Sequence, residues 1–301
     1  MTAPTTPPRI AIVAAGMMGA AVAGRLTKAG CTVYTNLDGR SAATRQRAKD
    51  AGMIDVPLTD LVANSDWILS IIPPRDAVSF AEQIQAVNRE VLSKSCVFVD
   101  CNAINPETAK RIAMIFIGGD IKFVDACIFG PPPKDDYDPT FYASTATENS
   151  HILDEFAALS QYGLKVSLLR GEGVGVGDAS ALKMSFSGVF KGALGTLTTM
   201  ILAAHASSPA TADALLKELV VSQPVLLDVL VKYIHSMFPR AYRWVGEMEE
   251  ISQFVGGEEG DVYRGLARVF KRVDKSLQGD QVEVDVLKKF VEDVEKMRHA
   301  E

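Results

Sequence analysis

The chain of 301 residues has no excess of basic residues. It contains 31 lysine and arginine residues against 37 aspartate and glutamate residues, which gives a formal net charge of −6. A general binder of phosphate backbones needs a basic excess to displace counterions, so the balance argues against a nucleic-acid partner, although local basic patches are compatible with it. An anionic small molecule would have to be met by a few local cations.

Metal-type cysteine motifs and membrane-length apolar runs are also missing. The four cysteines occur singly, without a C-x-x-C pair or a histidine-rich segment, which argues against zinc: Cys31, Cys96, Cys101 and Cys127. The first residues lack a basic segment followed by an apolar stretch. The longest uncharged apolar run, residues 10–24, is shorter than the roughly 20 residues of a membrane span. We therefore expect a cytoplasmic protein with reduced thiols and no membrane partner.

What is present changes in character near residue 170. Before it, short β-branched runs alternate with helical patterns, which is typical of βαβ units and a parallel sheet. The predicted strands are residues 9–14, 32–36, 67–72, 96–100, 122–127, 140–144 and 165–168. The predicted helices between them are residues 17–29, 45–51, 75–87, 106–116 and 150–161. Residues 1–170 are thus predicted to form a doubly wound α/β domain.

The alternation stops at a glycine-rich segment, residues 171–177, and long amphipathic patterns follow. The predicted helices of this part are residues 178–205, 211–221, 224–237, 240–254, 261–277 and 282–298. The sequence therefore predicts a second, all-α domain over residues 171–301.

A glycine-containing turn follows the first predicted strand, with the sequence Ala14-Ala15-Gly16-Met17-Met18-Gly19. A G-x-G-x-x-G pattern between a strand and a helix predicts a Rossmann-type dinucleotide site, and here alanine replaces the first glycine. Gly16 would let the backbone approach a pyrophosphate, Gly19 would allow close packing, and the helix amides would attract phosphates. We predict cofactor contacts along Ala15, Gly16, Met17, Met18 and Gly19; the alternative is a tight turn that binds nothing.

The end of the second predicted strand indicates which cofactor is bound. An NAD-dependent enzyme usually carries a carboxylate there for the ribose hydroxyls, whereas this chain has Asn36. Arg40 and Ser41 follow and offer donors suited to a 2′-phosphate, which favours NADP(H). Two alternatives stay open: Asp38 could bind the ribose in another register, and Arg40 could be a solvated loop residue.

Four blocks of sequence occur in a fixed order: the turn ending at Gly19, residues 100–106, residues 125–131, and residues 177–187 with Lys183. In this order they resemble the β-hydroxyacid dehydrogenases, related to 6-phosphogluconate dehydrogenase and 3-hydroxyisobutyrate dehydrogenase. Residues 242–248 resemble a branch whose C-terminal domain was long of unknown function. The resemblance covers nearly the whole chain. It implies hydride transfer in a cleft between two domains and a homodimer formed through the C-terminal helices.

Lys183 matches the catalytic lysine of this family, which exchanges a proton with the substrate hydroxyl. A lysine near an apolar cofactor face can have its pKa lowered, as an acid/base requires. The alternative is a solvated lysine on an amphipathic helix, but its neighbours are largely apolar. Where the family has asparagine one turn later, this chain has Ser187, whose hydroxyl can still donate. Lys191, two turns on, is interpreted as a supporting or solvated residue.

Asn102 is the third predicted catalytic residue and also a predicted cofactor contact. Its amide could donate to a substrate carboxylate or to the nicotinamide; the alternative is that it ends the strand or caps a helix. Further cofactor contacts are predicted at Ile72 and Pro73, where the third predicted strand ends.

Substrate contacts are predicted at Phe129, Gly130, Asp178 and His205. The segment that begins at Phe129 is bulkier than the glycine-rich loop of the family and continues into three prolines, which donate no N–H. Backbone amides are therefore doubtful donors to the substrate here. His205 has an alternative role in capping the last carbonyls of its helix.

The sequence predicts an NADP-dependent oxidoreductase that acts on a hydroxyl or carbonyl carbon of a small carboxylate-bearing substrate. One alternative is an imine reductase or reductive aminase, against which the presence of Lys183 counts. Another is an NADPH-binding pseudoenzyme or redox-sensing scaffold, because fold does not determine function. Ala14, Ser187 and the proline loop are the departures that support this last alternative.

Overall fold

The computed structural model describes residues 6–13, 15–91 and 95–299, and it divides into two compact units, Met1–Lys183 and Met184–Glu301. The division falls inside a helix, α7 (Asp178–Ser207), and therefore later than the predicted boundary at residue 170. The glycine-rich segment and the first turns of α7 belong to the first unit because Gly177 and Ser180 donate hydrogen bonds to Asp125 of its sheet.

The first unit contains an eight-stranded sheet in the order β3-β2-β1-β4-β5-β6-β7-β8. All seven predicted strands are present. The strands are β1 (Arg9–Ile12), β2 (Thr32–Thr35), β3 (Ile54–Asp55), β4 (Trp67–Ser70), β5 (Val97–Asp100), β6 (Lys122–Phe129), β7 (Thr140–Ser144) and β8 (Lys165–Leu168). The additional strand, β3, has two residues and is too short for a hydrophobic period to reveal.

The predicted parallel sheet is present except at one edge. Strands β1 to β6 are parallel to one another, but β7 runs antiparallel to β6, and β8 is parallel to β7. Parallel neighbours need a long crossover connection. Residues 130–139, which join β6 to β7, contain no helix, so the chain turns back beside β6 instead.

Six helices connect these strands: α1 (Met17–Lys28), α2 (Ala42–Asp50), α3 (Leu58–Asn64), α4 (Ala77–Val91), α5 (Pro106–Ile115) and α6 (Ser150–Ala158). Helix α3 was not predicted, because seven residues hardly establish a period. The predicted helix at 75–87 instead begins as a 3₁₀ turn, Pro74–Asp76, and continues as α4 to Val91. Asn105 caps α5, accepting a hydrogen bond from the Thr108 amide at 2.9 Å, and Pro106 occupies the first helical position.

The sheet of the first unit is buried on both faces, as parallel sheets usually are. Alternate side chains of the central strands β1, β4 and β5 enter two separate cores. One core includes Ile10, Ile12, Leu69, Val99 and Val124, and the other includes Ala11, Ile68, Phe98, Ile84 and Ile112. This burial fixes the register of the strands and therefore where each of them ends.

The second unit is helical throughout its described residues, as predicted. It consists of the larger part of α7 followed by α8 (Pro209–Ser222), α9 (Pro224–Met237), α10 (Ala241–Val255), α11 (Gly260–Gln278) and α12 (Val282–His299). Helix α7 packs closely on α11, because a Cβ on Gly195 would lie 2.8 Å from Leu266 Cδ2 and 3.3 Å from Phe270 Cζ.

Helix α7 is the one helix of the described residues that is long and apolar enough to cross a membrane, judged by length and composition alone. Half of its most apolar window is buried inside the structure. The core helix of a soluble protein passes the same test, so the feature is weak evidence for a membrane span.

Candidate active site

The glycine turn after β1 leaves an open space in front of α1. Gly16 precedes the helix with φ −65° and ψ 178°, a conformation open to any residue. No described heavy atom lies within 4 Å of the Cβ that another residue would carry there. The fold therefore does not require glycine at this position. Within the described part of the chain no side chain caps α1, so its first amides can bind an anion. Ala14 lies outside the described residues.

The predicted cofactor residues of this turn differ in exposure. Ala15 is fully buried and Met17, the first residue of α1, is 71% exposed. Met18 packs against the core, and Gly19 is buried, as close helix packing requires. Arg47 Nε of α2 donates to the Ala15 carbonyl at 3.0 Å, which places a cation beside the turn. Sequence reasoning missed Arg47, because nothing separates it from other arginines of a polar helix.

The loop after β2 contains the residues predicted to select the cofactor. Asn36 Nδ2 donates to Asp38 Oδ2 at 3.0 Å and to the Val56 carbonyl at 3.1 Å. Arg40 is exposed. Ser41 caps α2, because its Oγ accepts a hydrogen bond from the Thr44 amide at 3.3 Å. Ser41 thus has a structural role in α2, and the contacts of Asn36, Arg40 and Ser41 with a cofactor stay predictions.

Asn102 lies in a buried network rather than on an open surface. It is 3% exposed. Its Nδ2 donates to Ser70 Oγ and to Asp100 Oδ2, both at 2.9 Å, and its Oδ1 accepts from the Ile72 amide at 2.7 Å. Both amide hydrogens are thus used within the protein. Asn102 ties the end of β5 to the end of β4 and holds the backbone at Ile72; its predicted contact with substrate stays a prediction. Pro73 leads into the 3₁₀ turn Pro74–Asp76.

A second buried carboxylate, Asp125 in β6, holds the start of α7. Its Oδ2 accepts from the amides of Gly177 and Ser180 at 3.0 and 3.1 Å and from Ser144 Oγ at 3.2 Å. Its Oδ1 accepts from Ser180 Oγ at 2.6 Å. Burial raises the pKa of Asp125 to about 6, and the hydrogen bonds, those from Ser180 foremost, oppose this rise. Sequence reasoning gave Asp125 no role, although a charged residue in an apolar strand is a usable signal.

Buried acids and thiols cluster where β5 and β6 lie side by side. Burial raises the pKa of Asp100 to about 7, against the lowering effect of the hydrogen bonds from Asn102. Burial also raises the pKa of the Cys127 thiol to about 12 and that of Cys101 well above its usual value. All four cysteines are buried and free. Protonated, buried thiols react slowly, which disfavours redox sensing through them.

Lys183 is held at the carboxyl end of β6. Its Nζ donates to the Ile128 carbonyl at 2.6 Å and lies 4.8 Å from the centroid of the Phe129 ring. Ser180 and Lys183 are three residues apart on α7 and therefore share a helix face. The carboxyl ends of parallel strands meet at one edge of the sheet, where doubly wound folds bind ligands. The structure thus brings Lys183, Asn102 and the glycine turn to the same edge.

The predicted substrate residues near β6 make close contacts within the protein. The Phe129 ring packs edge-on against Tyr142, with centroids 5.2 Å apart. Gly130 has φ +120°, and a Cβ on it would lie 1.9 Å from the Tyr137 hydroxyl oxygen. Asp178 Oδ2 accepts from the Gly175 amide at 2.7 Å, so this side chain closes the glycine-rich segment before α7.

The remaining predicted residues belong to the second unit. Ser187 is buried, and His205 is exposed in the last turn of α7; their contacts with substrate stay predictions. Lys191 is not solvated: it is 7% exposed, pairs with Glu247 and lies 5.4 Å from the Trp244 ring centroid.

Among the described residues, no group of three histidine, cysteine or acidic side chains is arranged to hold a metal ion.

The sheet order, the glycine turn and the open start of α1 define a pyridine-nucleotide-binding α/β protein. Residues 9–166, more than half of the chain, match the family described as the NAD-binding domain of 6-phosphogluconate dehydrogenase. The chain belongs to this family. Residues 206–273 match a domain of unknown function, DUF1932, which agrees with the predicted branch.

Individual relatives agree with this assignment. The mitochondrial 3-hydroxyisobutyrate dehydrogenase of Drosophila melanogaster is 26% identical over 124 residues, a match that spans 41% of this chain and only 37% of that relative. A solved protein of unknown function, described as structurally similar to 3-hydroxyacid dehydrogenases, is 25% identical, with a TM-score of 0.66 and coverage of 89% of this chain and 97% of its own. An imine reductase of Myxococcus stipitatus, solved with NADP⁺, is 19% identical, with a TM-score of 0.54 and coverage of 94% and 100%; it shows the fold alone.

Proposed function

We propose that this chain is an NADP(H)-dependent oxidoreductase. It would transfer a hydride between the nicotinamide and a hydroxyl or carbonyl carbon of a small carboxylate-bearing substrate, with Lys183 as the general acid/base. The observation that carries the proposal is the position of Lys183 Nζ, 2.6 Å from the Ile128 carbonyl. This position is at the sheet edge that also carries the glycine turn.

The residues at the glycine turn fit a dinucleotide. A space that a Cβ at Gly16 would fill lies in front of the amides of α1, and pyrophosphate is the group that such amides hold in this fold. Asn36 in place of a carboxylate and the exposed Arg40 support NADP(H) over NAD(H), while Asp38 beside Asn36 is the opposing feature. Dissociation constants of the wild-type protein for NADPH and NADH decide between the two.

When NADP(H) is bound along the glycine turn, its nicotinamide would supply the hydride chemistry. During oxidation, Lys183 Nζ accepts the proton of the substrate hydroxyl; during reduction, the same ammonium donates a proton to the oxygen as negative charge develops on it. The Ile128 carbonyl is a neutral acceptor, so it orients Nζ without taking the proton. Asp125 and Ser180 hold the first turn of α7 and thereby the distance of Lys183 from β6.

The test compares Lys183→Met with Lys122→Met, which removes an exposed lysine at the opposite end of β6. We expect Lys183→Met to bind NADPH with a dissociation constant within about twofold of wild type, since Lys183 is assigned to proton transfer. Its turnover should fall by roughly 10²- to 10⁴-fold, the range of general acid/base catalysis. The Lys122 variant should keep wild-type turnover.

The substrates for this test are short 3-hydroxy acids, the matching keto acids and a cyclic imine. Wild-type turnover that survives in Lys183→Met would show that another group transfers the proton. Reduction of the imine alone would instead favour an imine reductase. Tight NADPH binding without turnover of any of them would favour the pseudoenzyme.

We also propose a homodimer formed through the C-terminal helices. Three large apolar side chains of α7 are exposed along one helix face: Phe186 (54%), Val189 (76%) and Met200 (51%). Covering such a stripe with a second copy would remove this apolar surface from water. A cytoplasmic location remains part of the proposal.

A further inference from the structure

The first part of the loop between β6 and β7 offers few backbone donors to a carboxylate. It begins Gly130-Pro131-Pro132-Pro133, and proline has no N–H to donate. The substrate of the proposed function carries a carboxylate, and this loop leaves the sheet beside Lys183. The three prolines cannot supply a donor to that carboxylate, so a side chain of the loop is a candidate.

Tyr137 lies in the same loop, and its backbone is fixed from two sides. Lys134 and Tyr137 exchange backbone hydrogen bonds, with N···O distances of 3.0 and 2.8 Å. Arg25 of α1 donates to Asp138 Oδ1 at 2.8 Å, to the Tyr137 carbonyl at 3.4 Å and to the Asp135 carbonyl. A side chain whose backbone is tied to both the loop and a helix loses less entropy when it binds a ligand.

The Tyr137 hydroxyl lies against the end of β6. A Cβ on Gly130 would lie 1.9 Å from Oη and 3.0 Å from Cζ of Tyr137, so glycine makes room for the phenol. Gly130 is two residues beyond Ile128, whose carbonyl holds Lys183. Tyr137 is 44% exposed, and none of the hydrogen bonds among the described residues uses its hydroxyl.

We infer that the Tyr137 hydroxyl donates a hydrogen bond to the substrate carboxylate, taking the place of backbone amides that the proline loop lacks. The inference rests on the proposed function. A phenol and an ammonium then flank residues 128–130: Tyr137 binds the carboxylate while Lys183 faces the reacting oxygen. This makes Tyr137 a specificity-determining residue for substrates that carry a carboxylate.

The first test is Tyr137→Phe, which removes one oxygen and keeps the ring. A hydrogen bond to a charged acceptor corresponds to a loss of roughly 10- to 100-fold in affinity. We expect KM for the acid to rise by this factor while kcat changes less than about threefold and the NADPH dissociation constant stays the same. The methyl ester of the same acid, which has no anionic oxygen, should be affected much less. Tyr162→Phe, a half-buried tyrosine packed on the core, should match wild type.

A second measurement does not depend on turnover. Malonate is titrated into the NADPH-loaded protein by calorimetry, and its affinity should fall about 10- to 100-fold in Tyr137→Phe. Arg25→Ala, which unties the loop, should weaken malonate in the same direction while Lys183 keeps its contacts.

The outcomes separate the two proposals. Equal malonate affinity in wild type and Tyr137→Phe, or no malonate binding to wild type, overturns the role of Tyr137 whether or not the acid is turned over. Malonate binding that depends on Tyr137, in a protein that oxidises and reduces no acid, supports the carboxylate contact and rejects the hydride transfer.

Discussion

The two units bury ionisable groups in different ways. In the first, Asp100 and Asp125 are fully buried and receive hydrogen bonds from amides and hydroxyls. In the second, Lys191 and Glu247 form a largely buried ion pair. Neutral donors reduce the cost of burying a carboxylate without cancelling its charge, whereas an ion pair cancels charge with charge. In the first unit, the free energy of unfolding should therefore change with pH as the buried carboxyls titrate. In the second unit, removing either member of the ion pair should leave the other as an uncompensated buried charge.

The chain contains a reporter for each unit. Its two tryptophans are Trp67 in β4 and Trp244 in α10. A Trp244→Phe background leaves fluorescence from the first unit alone, and a Trp67→Phe background leaves fluorescence from the second. Urea unfolding in these backgrounds measures the free energy of unfolding of each unit separately.

The largest expected effect is a pH dependence confined to the first unit. Burial raises the pKa of Asp125 from 3.8 to about 6 and that of Asp100 from 3.8 to about 7. A raised pKa means that the folded state keeps a proton that the unfolded state has lost. Stability from this source is therefore complete below pH 3.8 and is lost as pH rises to about 6 and 7, by up to about 1.4 kcal/mol per pH unit for each carboxyl. Unfolding followed by Trp67 between pH 4 and 8 measures it.

The matched variants for this prediction are Asp125→Asn and Asp120→Asn, the second of which lies at an exposed position before β6. Asp125→Asn should flatten the decline between pH 4 and 6, because the titrating group is gone. Asp120→Asn should leave the decline as it is. An unchanged slope in Asp125→Asn would assign the pH dependence to other groups.

Removing one partner of the ion pair in the second unit should have the next largest effect. Glu247→Ala leaves Lys191 buried beside Trp244 without its carboxylate, at a cost of about 3 to 5 kcal/mol in unfolding free energy. Trp244 fluorescence in the Trp67→Phe background reports it.

The double variant Lys191→Met/Glu247→Leu is the control, because it removes both charges and keeps apolar volume. It should recover most of the lost stability, since a buried pair gains little over well-packed apolar residues. If the single and double variants are equally unstable, packing rather than charge compensation explains the loss.

The smallest of these effects is expected at Asn102, a neutral side chain that donates to the buried Asp100 in the first unit. Asn102→Ala leaves the Ile72 amide and an oxygen of Asp100 without their partner, at a cost of about 1 to 3 kcal/mol. The loss should appear in Trp67 fluorescence and grow as pH rises through 7, because the carboxylate loses its donor. Asn64→Ala, which removes an exposed amide bonded to the Asp60 carbonyl, is the control, and an equal loss there would contradict a special role for Asn102.

Local sequence patterns predicted most of the fold. The seven longer strands and the helices of the second unit follow from hydrophobic periods of 2 and 3.6 residues. Strand β3 and helix α3 are too short to show a period. The direction of β7 was mispredicted because direction depends on the connection, and the ten residues 130–139 form no crossover helix.

The candidate site was predictable only in part. The glycine turn is a local motif, and Lys183 was found through resemblance. Asp125 and Tyr137 were missed because their roles depend on residues distant along the chain, such as Ser180 and Arg25. Their positions relative to those partners follow from strand register and loop path, which no local window contains.

The sequence by itself determined the class of fold and the glycine turn between β1 and α1, since periodicity and glycine placement act over a few residues. Through resemblance it assigned proton transfer to Lys183 and a supporting or solvated role to Lys191, two lysines eight residues apart on one apolar helix, but it gave the partners of neither. Tertiary structure gives them different partners, because β6 brings the Ile128 carbonyl to Lys183 and α10 brings the Glu247 carboxylate to Lys191. The ion pair gives Lys191 a structural role, which supports the proposal that Lys183 rather than Lys191 exchanges the proton with a substrate.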